Sequence, residues 1–186
     1  MGIFLADSLA NRILLGKRKD SGLYGLPGGW LEKFEDWEEC ASRELKEEVN
    51  LNLPRNRFFN IETFNCRHLD KGYHAISLIM YSEIQEEEKK EIKNLEPDKC
   101  EKWFWVSFGQ LRNQMNSLFY PLKDFLNKHP KMNSVDYLKG LVKTPIVSFQ
   151  KQEKKKSIST QDTGSPFSAS TWDDDSLLLK DDLMMI

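Results

Sequence analysis

The sequence predicts an α/β fold, a mixed sheet sandwiched between helices. Three observations carry that expectation. Short runs of β-branched and aromatic residues (57–66, 73–84 and 101–106) are interleaved with segments of helical periodicity. One of those segments, 36–49, opens on a capping signal. Two further helical segments follow the last strand-like run, so helices become available to cover both faces of a sheet.

In chain order, Gly2 to Leu5 and Arg12 to Lys17 read as short strands joined by the turn-prone stretch Asp7 to Asn11. The first begins almost at Met1, a short start whose lost backbone pairing would weaken the sheet. Pro27-Gly28-Gly29 is a turn able to bring backbone close to a ligand. Asp36, with Glu39 three positions on, forms a capping box that starts a helix. Trp37, Cys40, Ala41, Leu45 and Val49 then recur at helical spacing and would bury one face. Asn50 suits the left-handed position just past the helix end. The strands at 57–66, 73–84 and 101–106 lead to helices at 107–115 and 117–128, with Pro121 tolerated only in the first turn of the second. Glu86 to Lys93 reads as a solvated charge run, and His74, alone in an apolar strand, as a packed histidine.

Composition limits the function classes. The chain has 186 residues, 39% hydrophobic and 11% aromatic, enough for one domain with a core plus an appendage. A formal net charge of −2 gives no basic surplus for duplex nucleic acid. Cys40, Cys66 and Cys100 are odd in number and widely spaced, which argues against a disulfide framework or a zinc site and fits a reducing compartment. No apolar run approaches a membrane span and the start lacks a secretory signal, so the expected location is the cytoplasm. From 144 onward the composition turns to Lys, Ser, Thr and Asp, and a disordered tail over 144–186 is expected to follow a domain over 1–143. Its apolar ends, Leu177 to Leu179 and Leu183 to Ile186, leave room for a docking peptide that binds a protein partner.

The chemistry concentrates between Gly28 and Leu51. Glu44, Glu47 and Glu48 stand at i, i+3 and i+4 on one helical face, where like charges repel. An oxygen-only carboxylate set of this kind suits Mg2+ or Mn2+. The competing reading is a solvated acidic helix with Glu/Lys pairs. Order decides between them: Gly29, five residues, Glu35, seven residues, then Arg43-Glu44-Leu45, Glu47-Glu48 and Leu51.

That pattern resembles the Nudix box, here 29–51, at every specified position except the glycine after the double glutamate, where Asn50 stands. Phe34 is a second departure: many members have glycine before the first glutamate, and a bulky residue resists positive φ. The resemblance runs over roughly 2–140 and is nearest to MutT-like nucleoside triphosphate diphosphatases of the eukaryotic guanine and thiopurine nucleotide type. The stretches that carry it are LLGKRK, LPGGWLE, DWEECASRE, NLEPDKCEKWFWV and SLFYPLKDFL.

The resemblance implies a Nudix α/β/α sandwich and Mg2+-dependent hydrolysis of a purine nucleoside triphosphate to monophosphate and pyrophosphate. It implies Glu44 and Glu48 as metal ligands, and Glu47 as a third ligand or the group that deprotonates water. The Gly28 carbonyl would supply a further oxygen, Arg43 would fix the carboxylates, Gly29 would support the loop, and Glu35 would support the loop or a further metal. Lys17 and Arg18 fall where phosphate-binding cations are expected, against the alternative of an exposed hairpin end. Phe119 and Leu122, with Tyr24, Leu26 and Trp30 opposite, would wall the base, although aromatic sets at such spacing are more often core. Phe104 occupies a position that is acidic in some members, leaving Glu96 and Glu101 as the nearest acids. Hydrolysis of a different nucleoside diphosphate derivative and a non-catalytic binding module remain alternatives, and a homodimer stays open.

Overall fold

Strand β1 (Gly2–Asp7) is buried along its whole length, and its alternating side chains serve two different cores. Ile3 and Leu5 join one apolar cluster while Phe4 and Ala6 join another, so the strand lies inside a sheet covered on both faces. This computed structural model describes residues 1–143, and the low-complexity tail expected over 144–186 lies outside the described residues.

Among the described residues six strands make one mixed sheet: β1, β2 (Arg12–Arg18), β3 (Tyr24–Gly25), β4 (Phe59–His68), β5 (Tyr73–Glu83) and β6 (Cys100–Ser107). The order is β3-β2-β1-β5-β4, with β6 also on β2. β1 runs parallel to β5 from Gly2↔Ile79 to Ala6↔Glu83, and the remaining pairings are antiparallel. Since β6 occupies one side of β2 from Arg12 to Arg18, β1 and β3 share the other. β1 takes Arg12 and Ile13, and β3 takes Gly16 and Lys17.

Helix α1 (Trp37–Val49) covers one face through Ala41, Leu45 and Val49, packed with Ile3, Leu5 and Leu14. The other face carries α2 (Phe108–Asn113), α3 (Tyr120–Lys128) and α4 (Val135–Leu141), whose Phe108, Leu111, Phe125, Leu126, Val135 and Leu138 meet Phe4, Ile13 and Leu15. Phe4 and Phe125 are fully buried with ring centroids 5.0 Å apart. Truncating either to alanine would cost about 3–5 kcal/mol. Among the described residues no helix is long and apolar enough to cross a membrane, and all three cysteines are buried and free.

The elements depart from expectation where tertiary pairing overrides local pattern. The helix expected over 107–115 ends at Asn113 and yields to a 3-10 turn, Met115–Ser117. The next begins at Tyr120 rather than 117, because Leu118 is drawn into a bridge with Tyr24 and the Phe119 N–H donates to the Tyr24 carbonyl at 2.8 Å. Pro121 sits in the first turn, where its missing N–H costs nothing. The two-residue β3 and α4 were not expected. Trp37 is 43% exposed rather than buried with its helix face, and His74 is exposed, near Asn65, rather than packed. The charge run from Glu86 is anchored: Arg57 Nη2 donates to Glu88 Oε2 at 3.0 Å, and Lys89 Nζ lies 2.8 Å from the buried Asp7 carboxylate.

Candidate functional site

Local chemistry sets both ends of α1. The Glu39 carboxylate accepts from the Asp36 N–H at 2.9 Å, completing the capping box. At the other end Asn50 takes φ 63°, ψ 24°, and its side-chain amide donates to the Glu91 carbonyl at 2.9 Å. The asparagine thus supplies the left-handed cap and also ties down a neighbouring loop.

Between these ends the carboxylates turn toward the Pro27-Gly28-Gly29 loop, which is fixed by a 2.8 Å bond from the Ile3 N–H to the Pro27 carbonyl. Gly28 N–H donates to Glu48 Oε2 at 2.8 Å. Gly29 lies so close to Glu44 that an added Cβ would meet Oε1 at 2.5 Å, so only glycine leaves that carboxylate its place. Glu44 is 8% exposed, whereas the Glu47 side chain is 51% exposed. Burial raises the Glu48 carboxyl to about 8, with the charges of Glu44 and Glu96 adding to it and the Gly28 bond opposing. Burial raises Glu44 as well, against the pull of Arg43. Two adjacent carboxyls, Glu44 buried and Glu48 partly buried, that resist ionisation together fit a hard divalent cation, whose charge would reverse the penalty.

Arg43 organises the set. Its Nε and Nη2 fork onto Glu35 at 2.8 and 2.9 Å, Nη1 reaches Glu44 at 2.9 Å and Glu47 at 3.1 Å, and Nη2 also donates to the Trp30 carbonyl at 3.0 Å. The fork holds the Glu35 carboxyl at about 2. An open cleft of about 700 Å3 runs over Glu35, Arg43 and Glu47, with Lys33, Lys46 and Arg55 on its border. Phe34, expected to resist positive φ, takes φ 69° in this loop with its ring 92% exposed. The surrounding turn imposes it: the Glu35 N–H donates to the Glu32 carbonyl at 3.2 Å, and the Glu32 N–H to Glu35 Oε2 at 3.0 Å.

The expected phosphate-binding cations already have partners. Lys17 Nζ lies 2.7 Å from Glu101, and Arg18 forks onto Asp20 at 3.1 and 2.6 Å. These pairs are solvent-accessible and cheap to exchange for phosphate. Arg18 also places its guanidinium 4.5 Å from the Phe119 ring centroid.

Around Phe119 lies an aromatic cluster that sequence reading largely missed. Tyr73 stands edge-on at 5.9 Å, Tyr120 is 5.4 Å away, and His68 stacks on Tyr120 at 4.5 Å. Leu122, expected beside Phe119 on the base wall, is 2% exposed and belongs to the core, because its position on α3 points into the sheet. Leu26 packs half-buried against the same core. The Trp30 ring is 74% exposed, and its link to the site is the carbonyl held by Arg43. Phe104 packs edge-on to Tyr24 at 6.0 Å, on the sheet face away from α1. Of the two acids near it, Glu96 bears on Glu48 and Glu101 is committed to Lys17.

Comparison with known proteins agrees with this layout. An ADP-ribose pyrophosphatase of Methanocaldococcus jannaschii is 35% identical over 77 residues, covering 40% of this chain and 44% of that protein. The match therefore spans less than half the length of that curated relative. The MutT NUDIX hydrolase of Burkholderia pseudomallei superposes with a TM-score of 0.53 at 24% identity, over 68% of this chain and 92% of that one. A bifunctional NMN adenylyltransferase/ADP ribose pyrophosphatase of Francisella tularensis gives 0.54 at 20%, over 70% of this chain and 40% of that one. At these identities the structural likenesses speak for the fold. The model of the NUDIX domain matches residues 1–126, which takes in β1, the glycine turn, the carboxylate helix and most of α3. With the box intact but for Asn50 and its side chains gathered under one arginine, the chain belongs to the NUDIX family.

Proposed function

We propose that this protein hydrolyses a phosphoanhydride bond of a purine nucleoside triphosphate, dGTP, GTP or a modified analogue, giving the monophosphate and pyrophosphate with Mg2+ or Mn2+ as cofactor. The observation that carries the reading is the Glu44–Glu48 pair beneath the glycine turn, the first buried and the second partly buried, an oxygen donor set costly to keep charged without a cation. Glu44 and Glu48 would hold the ion, with Glu47 and the Gly28 carbonyl as further oxygens. The cation supplies Lewis acidity toward the phosphate oxygens and opposes charge on the leaving pyrophosphate. Arg43 keeps Glu44 and Glu47 in fixed rotamers. Glu47, the most exposed of the three, is suited to take a proton from attacking water. Lys17 and Arg18 exchange Glu101 and Asp20 for phosphate oxygens. Phe119, flanked by Tyr73 and Tyr120, offers the purine a stacking face worth about 1–3 kcal/mol. The domain over 1–143 carries all of these groups, and the three buried free thiols suit a reducing compartment such as the cytoplasm.

A second reading, cleavage of a nucleoside diphosphate derivative such as ADP-ribose, is favoured by the likeness to the Methanocaldococcus jannaschii pyrophosphatase. One panel decides. Phosphate release is measured with Mg2+ for GTP, dGTP, CTP and dTTP with coupled pyrophosphatase, and for ADP-ribose with a coupled phosphomonoesterase, which frees phosphate from the AMP and ribose 5-phosphate produced but not from intact ADP-ribose. Glu44→Gln and Glu48→Gln should each lower turnover by about 100-fold or more in folded protein, and Phe119→Ala should narrow the purine preference. A Glu44→Gln variant with near wild-type turnover overturns the metal-site assignment. Preference for ADP-ribose over every triphosphate overturns the substrate assignment, and no turnover of any substrate leaves a binding module.

A further inference from the structure

On the sheet face opposite α1, three side chains of mixed chemistry converge where the neighbouring residues are apolar. Phe64, Cys66 and His68 alternate along β4 and share its inner face. Phe64 and Cys66 belong to the core, whereas His68 remains partly open to solvent. Asp124 comes from α3, between the buried Leu122 and Phe125, and meets both polar groups with one oxygen. Its Oδ2 accepts from Cys66 Sγ at 3.1 Å and lies 3.1 Å from His68 Nε2. The sulfur, the imidazole nitrogen and the carboxylate oxygen all lie within 4.8 Å of one another.

We propose that Cys66, His68 and Asp124 form a second metal site, selective for Zn2+ over Mg2+ and separate from the carboxylates of α1. Bond lengths of about 2.0–2.3 Å separate the ligand atoms of a tetrahedral zinc centre by about 3.3–3.7 Å. The two 3.1 Å contacts are therefore near the required spacing, and small side-chain rotations would admit the ion. Ligand type sets the selectivity: a sulfur, an imidazole and one carboxylate favour Zn2+, whereas the all-oxygen set on α1 favours Mg2+. The environment matches what such sites carry around the ligands. His68 is held by stacking on Tyr120 at 4.5 Å, and the buried Ser77 acts to lower the Cys66 thiol, against burial and Asp124. Without a cation, burial and the adjacent Asp124 raise the thiol to about 12, so Cys66 stays protonated and the trio rests as a hydrogen-bonded set. Binding forms the sulfur–metal bond and releases that proton to solvent. Three protein ligands leave a fourth position for water or an incoming nitrogen or sulfur donor.

The inference is tested without an activity assay. The full chain, stripped with chelator, is titrated with Zn2+ under excess Mg2+, and in parallel with Co2+, whose thiolate complexes absorb strongly in the near ultraviolet. About one Zn2+ should bind per chain, with a thiolate-to-cobalt band, and Cys66→Ser should abolish the band. His68→Ala and Asp124→Asn should each weaken Zn2+ binding by about 100-fold or more, the upper end of what losing even an outer partner costs. Glu44→Gln should keep the band. A Co2+ spectrum without a thiolate band, or a Zn2+ affinity unchanged in Cys66→Ser, overturns the proposal, as does zinc lost with Glu44→Gln and retained in Cys66→Ser. Should Cys66→Ser fail to fold, His68→Ala decides, since its partly exposed ring can be removed without opening the core: unchanged affinity there is equally fatal.

Discussion

Replacing Arg43 with lysine keeps the charge and removes the fork. Arg43 reaches Glu35 through two nitrogens, Glu44 and Glu47 through a third, and the Trp30 carbonyl through the second. A lysine ammonium can serve one carboxylate well, and the bidentate Glu35 contact gives it the strongest claim. Charge-assisted hydrogen bonds contribute about 1.5–3 kcal/mol each where screening is low. Glu35 and Glu44 have side-chain exposures of 12% and 10%, so their bonds keep most of that value. Glu47, at 51%, adds little. Losing the second Glu35 bond and the Glu44 bond while retaining the charge gives a destabilisation of about 2–4 kcal/mol. Urea unfolding of wild type, Arg43→Lys, Glu35→Gln and the double variant measures it. The two sites should couple by about 1–3 kcal/mol. Turnover should fall more steeply than stability accounts for, because Glu44 loses the group that fixes its rotamer, and added Mg2+ should recover only part of it. A stability change below about 0.5 kcal/mol, with turnover unchanged, would refute the organising role of the guanidinium.

Two further outcomes follow from strain and charge. Phe34→Gly should stabilise the fold by about 0.5 kcal/mol, because relief of about 1–2 kcal/mol of left-handed strain exceeds glycine's extra unfolded-state entropy; loss of stability in urea unfolding would mean the exposed ring makes a packing contribution. Burial works to raise Asp7, yet the bonds from Lys89, the Ala10 N–H and Arg12 hold it below its usual value of 3.8. Its contribution is therefore complete above that value and lost as pH falls through the lower folded-state pKa. Asp7→Asn should cost about 3 kcal/mol at neutral pH, and the gap to wild type should close in acid; a gap independent of pH would place the cost in shape rather than charge.

What was legible in the sequence was local. The cap at Asp36, the stop at Asn50 and the spacing of Arg43, Glu44, Glu47 and Glu48 lie within one helix, where periodicity and hydrogen-bonding chemistry act over a few residues. Asn50's second bond, to the Glu91 carbonyl, was not legible, because it joins positions far apart in the chain. The same holds for the cluster around Phe119. Tyr73 and His68 come from strands and Tyr120 from a helix whose start is moved by the Leu118–Tyr24 bridge, so membership has no spacing signature, whereas Leu122's burial does, through Phe125 and Leu126 at i+3 and i+4. β3, at two residues, is shorter than any alternating pattern can reveal. Cys66, His68 and Asp124 escaped because widely spaced cysteines argued against zinc, and Asp124 comes from a helix far along the chain from the strand that carries the other two.

β2 serves three neighbours with seven residues: β6 along its length, β1 at its start and β3 near its end. Its side chains alternate between two separate cores, Leu14 on one face and Ile13 and Leu15 on the other. Gly16 follows at a point where any Cβ would strike the Trp103 ring at 2.6 Å. A strand so shared can drift in composition but not in length. One inserted or deleted residue would reverse the facing of everything beyond it, put an apolar side chain or a tryptophan clash where the glycine stands, and turn Lys17 and Arg18 away from their present partners. Length variation in descendants of this chain should therefore collect in the turn after Asp7 and in the hairpin at 69–72, leaving the count from Arg12 to Arg18 constant while individual side chains change.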